Sequence, residues 1–271
     1  MAAARMPEEF FEVVSHHLPP DQPVGPRGGC PPRPNRVVMN VIWFVLVTGC
    51  RYEDVPREMG RSGRTAQRRL ILWQQLGVWD RLHADLLRLL KAAGKLDEGA
   101  VIVDPVIVRA FGGGEQTGPS PVDRGKKGSK HTVMVDKSGV PLVMRTAGAN
   151  ASDQSEIIPA VLGFPKVKGK PGRPKQLPDE VYADRGYDND YARGILAWLG
   201  VEPHVGRKGT PHGSGLGKVR WVVERTIAWI KGLRRMRVRY DRLGEAQEAW
   251  NTLAVSVICF RLLHDDEALA A

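Results

Sequence analysis

Cysteine is scarce in this chain, with Cys30, Cys50 and Cys259 odd in number and far apart. Such a set offers neither a disulfide framework nor the paired spacing of a zinc site, so each is expected to be a small apolar residue in a reducing compartment. Long hydrophobic runs are missing as well. The most apolar stretch, Val37 to Val47, is interrupted by Asn40 and falls short of the roughly 18 residues a membrane span needs. Met1 to Met6 lacks the apolar segment of a secretory signal. These absences exclude a disulfide-stapled scaffold and lead us to expect a cytoplasmic protein with no membrane partner.

Acidic residues are lacking in one region. From residue 205 to 242 there are eleven Lys and Arg against only Glu224 and Asp241, a local charge of +9 in a chain whose formal net charge is +10. A basic excess of this size favours a polyanionic partner, and nucleic acid is the usual one, because phosphate neutralisation releases counterions. Inside this region the stretch GLGKVRWVVERTIAWIK, residues 215 to 231, has a helical period. At about 100° per residue, Arg220, Glu224 and Lys231 fall within roughly 40° of one another. Val223, Ile227 and Ile230 form an apolar stripe beside them. Glu224 is therefore expected at the rim of a packed face; a surface helix whose glutamate merely neutralises its neighbours is the alternative.

Two aspartates upstream close apolar strands. GAVIVDP closes on Asp104, with Val106 to Ala110 expected to continue the extension, and DEVYADRGYDND carries Asp184 at a strand end, with Arg185, Gly186 and Tyr187 making a turn. Two strand-end carboxylates and one on a later helix supply the oxygen ligands that hard divalent cations take, with room left for phosphates and water.

These residues carry a resemblance. Asp104 in IVDPVIVRA, Asp184 in YADRGYD and Glu224 in RWVVERTIAWIK resemble the three acids of the DDE transposases of bacterial insertion sequences, in the insertion sequence five group. Arg220, Glu224 and Lys231 also match that family's C-terminal signature of Tyr, two residues, Arg, three residues, Glu, six residues, Lys. Gly217 stands at the tyrosine position, and Pro105 follows the first aspartate where the family more often has Gly or Ser. The likeness runs from about residue 8 to 263 and includes GVWDRLH, GPSPVDRGKKGSKH and the ANASD turn.

The resemblance implies an α/β fold, a ribonuclease H-like mixed sheet flanked by helices, behind an all-α domain with a helix-turn-helix. It implies two metal ions, Mg2+ or Mn2+, with Asp104 bridging them, Asp184 on one and Glu224 on the other. Arg220 and Lys231, helped by Arg185, are then expected on DNA phosphates. The reaction implied is cleavage at terminal inverted repeats and strand transfer into target DNA, by a homodimer on DNA in the bacterial nucleoid. Two other readings stay open: a metal-dependent nuclease of the same fold, and a DNA-binding remnant that has lost catalysis.

The remaining chain is read around that frame. Residues 1–97 form the helical DNA-binding part and 98–271 the catalytic part. Asp21 to Asn35, rich in proline and glycine, is an exposed arm. Arg36 to Thr48 is a core helix stopped by Gly49. A short helix over Asp54 to Met59, a turn over Gly60 to Gly63 and a helix over Arg64 to Leu76 make the helix-turn-helix, with Ala66, Leu70 and Trp73 packed inward and Arg61, Arg64 and Arg68 presented to a DNA groove. A helical bundle with a solvated basic side is the alternative there. Gly112 to Lys130 lacks the Gly-Lys-Ser/Thr ending of a phosphate loop, so Lys126, Lys127 and Lys130 are expected on a DNA backbone. Asp136 to Gly139 signals a hairpin. Asn150 to Asp153 reads as a helix cap, with a metal-proximal Asp153 as the alternative. Gly172-Arg173-Pro174 resembles an AT-hook, in which Arg173 lies along the minor groove, with a solvated basic loop as the alternative. The order strand-strand-strand-helix-strand-helix-strand-helix is the one a ribonuclease H-like sheet requires.

Overall fold

Gly99 separates a helical third of the chain from a β-branched run that starts a sheet. The computed structural model describes residues 5–21, 33–168, 173–207 and 217–264, with 217 and 218 described by their backbone alone. Most of the expected Pro/Gly-rich arm and Gly172 of the Gly-Arg-Pro core lie outside the described residues.

The helical part holds α1 (Glu8–Ser15), α2 (Asn35–Thr48), α3 (Gly63–Gln75) and α4 (Val78–Ala92). Along α2 apolar residues face inward on almost every side, and Gly49, at φ 68°, ends it in the left-handed conformation that glycine adopts without a Cβ penalty. The expected first helix of the helix-turn-helix is not an α-helix. Tyr52–Asp54 and Arg57–Met59 are separate 3₁₀ turns, since Pro56 has no N–H to continue a helix and holds Val55 extended. Ser62 caps α3 by accepting a hydrogen bond from Thr65 N, and Ala66, Leu70 and Trp73 are buried as expected.

Seven strands follow among the described residues: β1 (Ala100–Ala110), β2 (Gly118–Pro119), β3 (Lys127–Asp136), β4 (Pro141–Gly148), β5 (Glu180–Ala183), β6 (Glu202–Val205) and β7 (Val238–Arg239). Between and after them lie α5 (Asp153–Leu162), α6 (Asp190–Trp198), α7 (Gly217–Gly232) and α8 (Gly244–His264). The path is β2-β3-β1-β5-β6, with β4 on β3 and β7 on β1. β3 runs antiparallel to β1 and β4, whereas β5 is parallel to β1 and to β6. This is the mixed sheet that the resemblance led us to expect, with the two-residue strands β2 and β7 added to the expected element order.

Asp136 shapes the β3–β4 hairpin. Its carboxylate accepts from Ser138 N at 2.9 Å and Val140 N at 2.8 Å, and from Asp97 N at 2.9 Å ahead of β1. Packing does not part at residue 97, because α8 lies against α3, α4 and β4, and one core runs from Phe10 to Phe260. Cys50 and Cys259 are free thiols. Among the described residues no helix is long and apolar enough to cross a membrane.

The sheet buries His131, 1% exposed, with Nδ1 paired to Thr146 Oγ1 at 3.0 Å. Burial, and then the charge of Arg239, push its pKa down to about 3. A folded-state pKa held below the unfolded value near 6.5 contributes stability that is present above pH 6.5 and lost as pH falls toward 3. Comparing thermal or urea unfolding of the wild type with His131→Leu at pH 8 and pH 5, we expect the wild type's advantage to shrink by on the order of 2 kcal/mol at the lower pH. A pH-independent difference between the two proteins would show that His131 does not titrate in this way.

Candidate active site

β1 is paired with β3 along most of its length, but with β5 only through Ala100, Val101 and Ile102. Beyond Ile102 that side of β1 is free until β7 joins at Arg109. Asp104 sits in this free stretch. The sequence reading placed it at a strand end; it is in mid-strand, and the position behaves as an end only on the β5 side. Pro105 is tolerated for the same reason, since a missing N–H is harmless where no neighbouring strand asks for it.

Asp184 does follow its strand directly. Its Oδ1 accepts from Gly186 N at 2.8 Å and caps the 3₁₀ turn Arg185–Tyr187. A Cβ on Gly186 would stand 2.9 Å from both Asp184 Oδ1 and Asp153 Oδ2. Only glycine lets the two carboxylates close on the turn. Gln154 Nε2 donates to Asp188 O at 3.1 Å and Asn189 Nδ2 to Gln154 Oε1 at 3.2 Å, which ties this turn to α5.

α7 brings the third acid. Val223, Ile227 and Ile230 are buried as the periodicity predicts, each worth ~2 kcal/mol of apolar burial. Thr226 Oγ1 donates to Gly139 O at 2.8 Å and Arg225 Nη2 to Ser138 O at 2.6 Å, so the helix is fastened to the β3–β4 turn. Arg220 and Glu224 are thereby held beside β1. Arg220 Nη2 donates to Asp104 Oδ1 at 3.2 Å and to Glu224 Oε1 at 3.4 Å. One guanidinium thus bridges two of the three acids. The Asp104 side chain is 12% exposed, against 58% for Glu224. Burial pushes the Asp104 carboxyl up to about 6; Arg220 works against the rise, and Asp184 and then Glu224 add to it. Asp184 and Glu224 therefore both act on Asp104. Among the described residues no group of three His, Cys, Asp or Glu side chains closes on a single point, and Arg220 takes part of the space between Asp104 and Glu224.

The remaining expected site residues divide. Arg64 and Arg68 are exposed on α3 and Arg61 is half-buried before it; Arg64 pairs with Glu53. Lys126 and Lys127 are exposed, as is Lys231, and Arg185 is half-buried in the turn after Asp184. Arg173 is exposed. Lys130 is a correction. It is 5% exposed, donates to Asp153 Oδ1 at 2.5 Å and to Ala151 O, and cannot lie on a DNA backbone. Ser152, accepting from Ser155 N, is the cap of α5, which frees Asp153 for Lys130. Lys130→Met is expected to cost about 2 kcal/mol of stability, the lower side of a broken buried pair because Asp153 is partly exposed. If the expected contact of Lys127 with DNA is made, Lys127→Ala is expected to lower the salt slope of DNA binding by about 1, and Lys130→Met to leave it unchanged. Melting curves and a salt titration of DNA affinity check both halves.

Tyr187 was not singled out by the sequence reading. It is 1% exposed, its hydroxyl has no hydrogen-bond partner, and its pKa is raised by burial and then by Asp153, Asp104 and Asp184. The phenol therefore lies within the field of the same acids, and its place next to Gly186 was the available signal.

Two family models match the chain. Residues 6–83 match the family described as “Putative transposase of IS4/5 family”, and residues 95–259 match “Transposase DDE domain”. The chain is similar to “Putative transposase for insertion sequence element IS402” of Burkholderia cepacia, 44% identical over 151 residues, covering 56% of this chain and 72% of the relative. It is also similar to “Insertion element IS402 uncharacterized 16.2 kDa protein” of the same organism, 42% identical over 123 residues, covering 45% of this chain and 84% of the relative. Among solved structures, the Mos1 strand transfer complex aligns at TM-score 0.36 and 12% identity, over 87% of this chain and 77% of that one. The simian T-cell lymphotropic virus intasome with PP2A regulatory subunit B56 gamma aligns at TM-score 0.37 and 14% identity, over 64% and 56%.

Proposed function

The chain belongs to the DDE transposases of insertion sequences, enzymes that cleave DNA and transfer its strands, and we propose that Asp104, Asp184 and Glu224 are its catalytic acids, holding two divalent ions, Mg2+ or Mn2+. The bridge from Arg220 to Asp104 and Glu224, with Asp184 acting electrostatically on Asp104, is the observation that supports this most. Carboxylate oxygens are the donors such ions take, and a cation, the guanidinium, already stands between two of them. Bound ions supply an activated oxygen nucleophile and charge neutralisation at the scissile phosphate.

The chain's own residues supply placement. Asp104 is held in mid-strand by β3, Asp184 is fixed by Gly186 N, and Glu224 rides on a helix fastened by Thr226. Arg220, freed from the carboxylates, would contact a DNA phosphate together with Lys231, two helical turns beyond Glu224, and Arg185. Arg61, Arg64 and Arg68 contact the terminal inverted repeat, Lys126 and Lys127 follow the backbone, and Arg173 lies along the minor groove. The helical part, 1–97, recognises the ends and 98–271 performs the chemistry, as a homodimer that pairs two ends, at the nucleoid of the bacterial cytoplasm. Incubation with labelled terminal-repeat DNA, a plasmid target and Mg2+ or Mn2+ tests this reading. Covalent joining of the labelled end to the plasmid supports a transposase, cleavage without joining a nuclease, and binding without cleavage a remnant.

A further inference from the structure

Two segments far apart in sequence build a surface that the active site does not use. Phe111, at the end of β1, is 60% exposed and stacks on Tyr240, 41% exposed, with ring centroids 6.1 Å apart and planes 29° apart. The Arg109 guanidinium lies 4.6 Å from the Phe111 centroid, and Arg235, from the interior, 5.1 Å from that of Tyr240. The result is a ladder, Arg235–Tyr240–Phe111–Arg109, that climbs from a buried cation to an exposed one.

The ladder is built in advance of any ligand. Arg239 is 2% exposed and donates to Asp241 O, Gln116 O and Ser129 Oγ, while Glu115 N donates to Arg242 O and Glu115 Oε2 accepts from Gly244 N. These bonds staple residues 109–116 to residues 239–244. Gly114 permits the contact, since a Cβ there would stand 2.2 Å from Arg242 O. Beside the ladder a groove of about 360 Å³ separates Tyr240 and Arg242 from Arg51 and Arg64, the latter on α3.

Exposed aromatic rings between guanidiniums are poorly used by duplex DNA, whose base faces are covered by their neighbours. They suit an unpaired strand, where every base has a free face and the cations track its phosphates. We propose that this surface binds single-stranded DNA, with an unpaired base stacked on the Phe111–Tyr240 end of the ladder and its backbone along Arg109, Arg242 and Arg64. It rests on the reading that α3 meets DNA, and it adds a strand-separated segment next to the duplex that α3 contacts.

The test uses the full chain, fluorescence anisotropy of a labelled oligothymidylate and of a blunt duplex, and a salt titration. Phe111→Ala and Phe111→Leu, the second keeping apolar bulk without a ring face, are each expected to weaken oligothymidylate binding about tenfold, within the range for one stacked base, and to leave duplex affinity unchanged. Arg242→Ala is expected to lower the single-strand salt slope by about 0.7. Oligothymidylate affinity that survives both Phe111 variants overturns the proposal. Duplex binding with no oligothymidylate binding overturns it while leaving the reading of α3 intact; loss of both in the wild type sinks the two together. If Phe111→Ala instead turns a dimer into a monomer in sedimentation and leaves oligothymidylate affinity alone, the surface belongs to a second copy of the chain and the proposal fails.

Discussion

Asp104→Asn is expected to slow single-turnover DNA cleavage by about 10³-fold or more, because a lost metal ligand removes several kcal/mol of charge stabilisation from the transition state. The same substitution is expected to raise the thermal stability of the metal-free protein. The sign follows from the raised carboxyl. A folded-state value of about 6 lies above the unfolded value near 3.9, so the ionised side chain opposes folding at neutral pH, and stability is recovered only as pH falls below 6. An asparagine carries no such charge. The gain is on the order of 1–2 kcal/mol after the loss of the hydrogen bond from Arg220 is set against it. Activity lost while stability rises marks a residue kept for chemistry and not for the fold. Cleavage rates in Mg2+ and melting curves at pH 7 measure the two effects, and a variant that melts lower with its activity intact contradicts both.

Arg220→Ala is expected to act in opposite directions on two observables. Without DNA, Mn2+ should bind about tenfold more tightly, since a guanidinium at hydrogen-bond distance from Asp104 and Glu224 repels an incoming cation by a few kcal/mol at most, reduced by its partial exposure. With DNA, cleavage should fall by ten- to a hundredfold, because a charge-assisted phosphate contact worth about 1.5–3 kcal/mol is gone. Calorimetric titration of Mn2+ into each free protein and single-turnover cleavage separate the two. Arg220→Lys should bind Mn2+ nearly as the wild type does and recover only part of the cleavage, as an ammonium keeps the charge but not the fork. Weaker Mn2+ binding by Arg220→Ala would mean that the guanidinium orders the carboxylates and does not stand in for an ion.

Local rules made much of this legible before any coordinates. The helical period of α7 placed Glu224 beside a buried stripe, and the turn residues after Asp184 placed that acid at a strand end. What the sequence could not convey depends on partners distant along the chain. Asp104 and Pro105 interrupt a β-branched run that resumes at Val106, and only the pairing with β3, which continues to Arg109, makes the two halves one strand with Asp104 in its middle. Lys130 looked like one more cation in a basic loop. It belongs to β3, whose residues are buried on both faces from Gly128 onward, so no alternation of polar and apolar residues reveals which way it points. Pro56 breaks the expected helix over Asp54 to Met59 into two 3₁₀ turns, a local effect of one residue on an otherwise helical pattern. Phe111 and Tyr240 gave no signal at all, because their stacking depends on the pairing of β1 with β7.

The most direct measurement compares the wild type with Glu224→Gln on labelled DNA carrying the element's terminal repeat, recording binding and cleavage together in Mg2+ and in Mn2+. Glu224 is exposed on α7, so glutamine leaves the fold alone and changes one charge. The account predicts cleavage at the repeat boundary by the wild type, and binding without cleavage by the variant in either metal. Equal cleavage by both proteins, or metal-independent cleavage by the wild type, would contradict a catalytic site built from these three carboxylates.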